Sequence, residues 1–389
     1  MAIVGAGPAG LLLGHILQSH GIDFVIVEIR SQEYALGRIR AGVLEQSSVD
    51  VLESLGLADN LHERGLVHDG IYLQHEGIRT HIDFRDLVGR TVTVYGQQQV
   101  VRDLMAAHDA LGSAVYYEAT DVLPSAVETP QPVLSFTHGG ETHTVEADFI
   151  VGADGFHGVC RTIIPKTEIS VFERTYECAW LGILADVAPS TDELIYSLHP
   201  DGFAMHSMRS PTVSRLYLQV EPDDDIANWS DERIWAGLHE RLGSPGWTLN
   251  EGPITEKSIT PMRSSVASTL SYGRLFLVGD AGHIVPPTGA KGLNAAISDV
   301  AMLGAAIAEH YHGTSTRLAD YSRRALSRQW KSQYFSQWMT EMLHTPSTST
   351  PRDLAAFRYR SQIGQLEFVT GSMHAQQTLA EQYTGLTIE

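Results

Sequence analysis

The chain has 389 residues, 43% of them hydrophobic and 19% charged, proportions of a globular chain long enough to bury a sizeable core in two or three structural units. A formal net charge of -19 argues against nucleic acid and anionic membranes as partners, because either calls for surplus Lys and Arg against phosphate, and it obliges any anionic small substrate to find local cations. The cysteines, Cys160 and Cys178, make no metal motif, redox motif or disulfide framework, and neither a membrane-length apolar run nor a secretory pattern is present, so no metal is expected and a reducing cytoplasm is the expected compartment.

The apolar run Ala2-Ile3-Val4 leads into Gly5-Ala6-Gly7-Pro8-Ala9-Gly10 and then a helical pattern, Leu11 to Leu17. A second apolar run, Phe24 to Val27, ends on Glu28. Strand, glycine loop, helix, strand and acid in that order predict a βαβ unit that offers backbone N–H groups to a pyrophosphate and a carboxylate to a ribose, the requirements of FAD or NAD. The competing reading is a glycine turn that serves packing alone. Residues 37–55 read as a loop feeding a helix, residues 70–94 alternate as strands, and a helix is predicted from about Gln98 to Gly112. Thr144 to Gly152 reads as one strand entering a second glycine turn, Gly152-Ala153-Asp154-Gly155. The alternation from Cys178 to Val220 predicts antiparallel sheet. A buried strand, Arg274 to Val278, runs into Gly279-Asp280, and Gly289-Ala290-Lys291-Gly292-Leu293-Asn294 opens a long helix to about His310. Residues 317–380 read as mostly helical, with an aromatic-rich stretch from Trp330 to Met342 suited equally to core or to a subunit contact.

Three elements in this order resemble the single-component FAD-dependent aromatic hydroxylases: Gly5-x-Gly7-x-x-Gly10 with Glu28, Ala153-Asp154-Gly155, and Gly279-Asp280 followed by Pro286-Pro287-Thr288-Gly289. The stretches 37–46, 154–158 and 283–294 extend the resemblance, which reaches Tyr383-x-Gly385-Leu386. It implies a mixed α/β (α+β) fold with three parts. A discontinuous Rossmann-like FAD-binding domain would take residues 1–69, 96–170 and 265–320, an antiparallel substrate sheet residues 70–95 and 171–264, and a helical C-terminal interface region residues 321–389. It also implies FAD as cofactor, NADH or NADPH as cosubstrate, O2, a small aromatic acid as substrate, and a homodimer. The implied reaction, in aromatic acid degradation, is hydroxylation of 4-hydroxybenzoate at C3 to 3,4-dihydroxybenzoate through a flavin C4a-hydroperoxide.

Such a reaction sets four tasks: gripping a carboxylate, deprotonating a phenol, stabilising an anionic reduced flavin and excluding water. Arg209 can grip a carboxylate with two charge-assisted bonds while Ser207 adds a third; by resemblance Met208, Tyr217 and Thr288 complete the contacts. A phenol titrates near ~10, so the phenolate must be favoured. The resemblance gives Tyr196 the substrate hydroxyl, Tyr383 a bond to Tyr196, His68 the far end of a relay through water, and the Pro287 carbonyl a second contact with the hydroxyl. FAD is expected on Gly5, Gly7, Ala9, Gly10, Glu28, Arg38, Ile39, Arg40, Ala41, Gly42, Val43, Gln97, Asp280, Lys291, Leu293 and Asn294, with the helix opening at Lys291 turned to the flavin's pyrimidine edge. The nicotinamide nucleotide is expected on Arg30, Tyr34, Arg40, His157 and Arg263, and Arg40 and Arg215 are expected to steer movement of the flavin. Without the resemblance, an Arg and a Ser on a strand would read as surface residues, and the tyrosines as packing.

Coenzyme choice is expected in the stretch after Glu28. Relatives that prefer NADPH place an arginine directly after the glutamate, where this chain has Ile29; Glu33 would repel a 2'-phosphate and Arg30 would compensate only in part. NADH or dual use is therefore expected. A flavin-dependent halogenase would carry a Trp-x-Trp-x-Ile-Pro element, which the chain lacks. A flavin-binding protein without catalysis would show no NAD(P)H oxidation stimulated by an aromatic acid.

Overall fold

The computed structural model describes residues 1–37 and 42–388, so four expected contacts, Arg38, Ile39, Arg40 and Ala41, lie outside the described residues. Ala2–Val4 is wholly buried and pairs in parallel with both Val25–Val27 and Ile150–Gly152. Strands covered on both faces read as continuous apolar runs, hence the lack of alternation in these segments. Among the described residues this sheet has six strands, ordered Ser271–Tyr272, Leu275–Leu277, Ile150–Gly152, Ala2–Val4, Val25–Val27 and Val115–Tyr116. Helix Pro8–Ser19 starts with a proline, which needs no N–H partner there, and packs against Lys291–Tyr311. Its Leu11, Leu12, Leu13 and Leu17 are fully buried, each contributing about 1.5–3 kcal/mol of hydrophobic stabilisation.

Among the described residues the largest sheet has eight strands, in the order His283–Ile284, Ile254–Ala267, Val171–Ala185, Val213–Val220, Ala204–Ser210, Leu194–Leu198, Gly70–His75 and Ile78–Asp83. It is antiparallel except where Leu194–Leu198 runs parallel to Gly70–His75. The period of two in the sequence separates its faces. Leu181, Ile183, Ile195, Leu216 and Leu218 pack beneath helix Asp231–Leu242, against Ile234, Trp235 and Leu238. On the opposite face Trp180, Tyr196, Phe203, Met205 and Tyr217 meet the C-terminal helices Tyr321–Leu343, Arg352–Gly371 and Met373–Thr384 through Phe335, Met339, Leu366 and Tyr383.

Two sequence expectations are corrected. Thr144 to Gly152 is not one strand. Glu141–Glu146, whose residues are exposed or half-exposed, forms a hairpin with Val133–His138, whereas the wholly buried Ile150–Gly152 belongs to the parallel sheet. Val92–Val94, grouped by sequence with the substrate sheet, instead pairs with Val43–Glu45 and Leu66–His68 in a separate three-stranded sheet. That small sheet brings Gly42 and Val43 beside the start of helix Gln97–Leu111, since Tyr95 N donates to Gly42 O at 2.9 Å. No helix among the described residues is long and apolar enough to cross a membrane.

Candidate active site

The glycine loop is closed on one side and open on the other. Gly5 has φ 108°, and a Cβ on Gly10 would stand 1.9 Å from Gly5 O, whereas one on Gly7 would meet nothing within 4 Å. Gly7 caps helix Pro8–Ser19 with no side-chain hydrogen bond, so the helix start presents backbone donors on the open side, next to buried Ala9. Glu28 stands at the end of its strand, accepting from Ala6 N at 2.7 Å and Arg30 N at 2.8 Å. Each oxygen keeps a lone pair for a sugar hydroxyl. Asp280 lies in the turn Gly279–Ala281, fixed by Asp299 Oδ2, which accepts from Gly279 N at 2.9 Å and pairs with His283 Nε2 at 2.6 Å. Burial lowers the His283 pKa, but Asp299 outweighs it and the net shift is upward. Gln97 opens its helix beside Gly42 and Val43, and Leu293 is half-buried against the core. Open glycine turns and helix N-termini supply donors, and acids at strand ends supply acceptors, of the kind FAD requires.

Two expected FAD contacts are engaged within the protein. Lys291 Nζ is buried and donates to Glu45 Oε1 at 2.5 Å, to Gln382 O, and to Tyr383 O at 3.3 Å. Burial lowers its pKa and Glu45 opposes that. The Lys291 cation, expected on FAD, is thus paired with Glu45 and ties its helix to the C-terminal segment. Arg328 assists by donating to Leu386 O and Thr387 O at 2.8 and 2.9 Å, and Arg90 by donating to Gly385 O at 2.6 Å. Asn294 accepts from Glu45 N at 2.9 Å and donates to Val43 O and Ala290 O at 2.9 and 2.7 Å. Its amide is a clasp between Val43–Glu45 and helix Lys291–Tyr311.

The large sheet gathers the substrate residues. Ser207 pairs in register with Arg215, and Met205 with Tyr217. Ser207 and Met208 are buried, and a register shift between Met208 and Ser210 gives Arg209 its own direction. The guanidinium of Arg209 crosses to the FAD side, where a Cβ on Gly96 would lie 2.7 Å from Nη1, so the glycine before Gln97 makes room for it. Burial and the neighbouring Arg215 both lower the Arg209 pKa. Arg215 Nε donates to Tyr217 Oη at 3.0 Å, and its buried Nη1 has no hydrogen-bond partner among the described residues. Two partly desolvated cations, a hydroxyl and a phenol on one sheet face suit a carboxylate.

A buried tyrosine pair occupies the same face. Tyr196 Oη and Tyr383 Oη are 2.6 Å apart, and burial raises both pKa values, the Tyr383 bond adding to the rise at Tyr196. Both phenols are neutral and each can donate and accept. Phe84 and Phe335 enclose Tyr383 at ring separations of 5.1 and 5.9 Å. His68 is fully buried, and neither ring nitrogen has a hydrogen-bond partner among the described residues. Burial pushes its pKa down to about 4, Asp69 opposing. His68 also contributes to lowering the pKa of His206, which burial depresses first. The His68 imidazole is therefore neutral in this conformation. Pro287 O accepts from Ala290 N at 2.9 Å, leaving one lone pair, and Thr288 Oγ1 shares a 2.8 Å bond with Thr340 Oγ1.

The expected nucleotide residues form two groups. Arg30 lies over the Tyr34 ring at 5.1 Å, and both are exposed. His157 meets the Phe156 ring edge-on at 5.0 Å while Arg263 covers that ring at 4.0 Å. Sequence reading missed Gly96, Arg90, Arg328, Trp180, Phe203 and His344, and left Glu45 inside a motif without a role. Their partners are distant in the chain; only the glycine pair Gly42 and Gly96 hinted at a close approach.

Residues 1–336 match the family described as FAD binding domain. The chain is 47% identical over 392 residues to a p-hydroxybenzoate hydroxylase of Acinetobacter baylyi, covering 100% of this chain and 96% of that protein. It is 28% identical to a 6-methylpretetramide 4-monooxygenase of Streptomyces rimosus, over 77% of this chain and 72% of that one. The crystal structure of a p-nitrophenol 4-monooxygenase from Pseudomonas putida shares the fold, with a TM-score of 0.80 at 16% identity over 99% of this chain and 98% of that one. This chain belongs to the FAD binding domain family and, within it, to the single-component FAD-dependent aromatic hydroxylases.

Proposed function

We propose that this enzyme uses NAD(P)H and O2 to hydroxylate 4-hydroxybenzoate at C3, giving 3,4-dihydroxybenzoate and water. The observation that carries the proposal is the shared sheet face, with Ser207, Arg209, Arg215 and Tyr217 suited to a carboxylate and the 2.6 Å Tyr196–Tyr383 pair suited to a phenol. The p-hydroxybenzoate hydroxylase relative supports the same substrate.

FAD, when bound, supplies the two-electron link between NAD(P)H and O2 and the oxygen atom for the ring. Gly5, Gly7, Ala9 and Gly10 hold its pyrophosphate, Glu28 a ribose and Asp280 the ribityl chain, with Gly42, Val43, Gln97, Leu293 and Asn294 shaping the rest. Arg209 takes the substrate carboxylate with two charge-assisted bonds and Ser207 and Tyr217 add hydrogen bonds. Tyr196 accepts the phenol proton while passing its own to Tyr383, and Tyr383 in turn releases its own hydroxyl proton through water to His68 and on to solvent, so no charge has to rest on either buried tyrosine. The phenolate that remains is electron-rich at the ring carbons ortho to the one that bears its oxygen, of which C3 is one. Packing of Phe84, Phe335 and Tyr383 keeps water from this end of the site. Arrival of a carboxylate supplies Arg215 Nη1 with an acceptor, which suits that residue to signal substrate and steer the flavin.

The finer assignments follow the same chemistry. NADH or dual coenzyme use rests on exposed Ile29 and on Arg30 lying over Tyr34, with His157 and Arg263 on the nucleotide. A homodimer is proposed through the exposed aromatic residues of the C-terminal helices, Trp330, Tyr334, Phe357 and Phe368. The buried free thiols Cys160 and Cys178 suit a cytoplasmic location. The three-part domain division is retained, with residues 92–94 moved to the FAD side.

Purified enzyme should oxidise NADH and NADPH many times faster with 4-hydroxybenzoate than without it, and chromatography should find 3,4-dihydroxybenzoate in proportion. Stimulation that gives only peroxide would place the phenol elsewhere, and an NADPH preference above about tenfold, roughly 1.4 kcal/mol, would reverse the coenzyme assignment.

A further inference from the structure

Helix Tyr321–Leu343 ends against the substrate face of the large sheet, and the residue after it, His344, is buried there. Trp180 Nε1 donates to His344 Nε2 at 2.6 Å. An indole nitrogen can only donate, so the imidazole proton sits on Nδ1, which donates to Thr340 O at 2.9 Å. Burial pushes the His344 pKa down to about 3, in keeping with this neutral tautomer. The imidazole stacks on Phe203 at 4.4 Å and lies within 17° of the Trp180 plane at 5.9 Å, while Trp180 and Phe203 stack on one another at 5.4 Å.

This stack touches both ends of the proposed substrate site. Trp180 packs on Tyr217, beside the carboxylate cations, at 4.6 Å, and Phe203 packs on Tyr196, at the phenol end, at 6.1 Å. The chain around His344 is tied down independently. Gln219 Oε1 accepts from Phe203 N and Thr345 N at 3.0 and 3.1 Å, and Gln362 Nε2 donates to His344 O at 2.7 Å. We propose that His344 is a positioning residue which, through Trp180 and Phe203, sets the separation of Tyr217 from Tyr196 and thereby selects aromatic acids whose carboxylate and hydroxyl stand directly across the ring. This rests on the hydroxybenzoate reading and assigns its specificity to a side chain outside the substrate's reach.

The test measures kcat/KM for 4-hydroxybenzoate against 3-hydroxybenzoate and 4-hydroxyphenylacetate, with the yield of hydroxylated product per NAD(P)H oxidised, in wild type, His344→Phe, His344→Gln and Trp180→Phe holoenzymes. His344→Phe keeps a ring but leaves the indole N–H without its acceptor, and should lower the discrimination ratio by about tenfold or more and uncouple oxidation from product. His344→Gln keeps an acceptor and should retain more of both. His344→Phe and Trp180→Phe effects should be strongly non-additive when combined, because they act on one contact. Unchanged ratios and yields in folded His344→Phe would overturn the proposal. Should the His344 variants fail to fold, Trp180→Phe decides: a lost ratio supports the proposal and an unchanged one overturns it. Absence of stimulation by 4-hydroxybenzoate in the wild type would instead reject the underlying substrate reading.

Discussion

Arg209 and Arg215 stand close enough for one to depress the pKa of the other, an arrangement that costs free energy until an anion arrives. Removing the guanidinium by Arg209→Ala should raise KM for 4-hydroxybenzoate about a hundredfold, roughly 3 kcal/mol, with kcat changed less, because the lost contact is made equally in ground and transition states. Steady-state kinetics on the folded variant measure this directly. His68 poses a different question, one of stability against pH. Its folded pKa of about 4 lies below the ordinary histidine value of 6.5, so the unfolded chain binds the extra proton between those two values. Its contribution is therefore full above pH 6.5 and is lost as pH falls toward 4, by up to about 3 kcal/mol. His68→Asn should flatten that part of the pH dependence of the urea midpoint; an unchanged slope would mean that His68 is already solvated in the native state.

At the scale of elements, the βαβ start was legible because its contacts are local: a glycine loop, a helix capped without a side chain, and a strand ending in an acid. Gly10→Ala should place a methyl group where Gly5 O now stands, and the purified variant should bind FAD at least about tenfold more weakly, roughly 1.4 kcal/mol, read from its flavin-to-protein ratio. The long strand Val171–Ala185 was legible only from Cys178 onward, because residues 171–175 are exposed or polar and show no buried stripe. Lys291 looked like a charge for the flavin because its partner Glu45 is 246 positions away. His344 gave no signal at all: its partners Trp180 and Phe203 become neighbours only when the C-terminal helices close over the sheet.

Over the whole molecule, the eight-stranded sheet divides the labour by face. Helix Asp231–Leu242 seals one side, while the other gathers cations, tyrosines and the C-terminal segment that Lys291, Arg90 and Arg328 hold by its carbonyls. The C-terminal helices also leave Trp330, Tyr334, Phe357 and Phe368 exposed, a concentration of aromatic surface that a second copy would cover. Sedimentation should therefore find a dimer, and Phe357→Glu with Tyr334→Glu should shift it to monomer while leaving FAD bound. A wild-type monomer at micromolar concentration would leave this face without its proposed occupant.

The account stands on the claim that one sheet face both grips the carboxylate and removes the phenol proton. Ultraviolet absorbance of enzyme-bound 4-hydroxybenzoate, titrated against pH, reads that proton. The phenol should ionise at least one pH unit below its ordinary value of about 10, a gain of roughly 1.4 kcal/mol for the bound phenolate, and Tyr196→Phe should move it back up. A bound phenol that titrates at or above its free value in the wild type would contradict the proton path, and with it the role given to the Tyr196–Tyr383 pair.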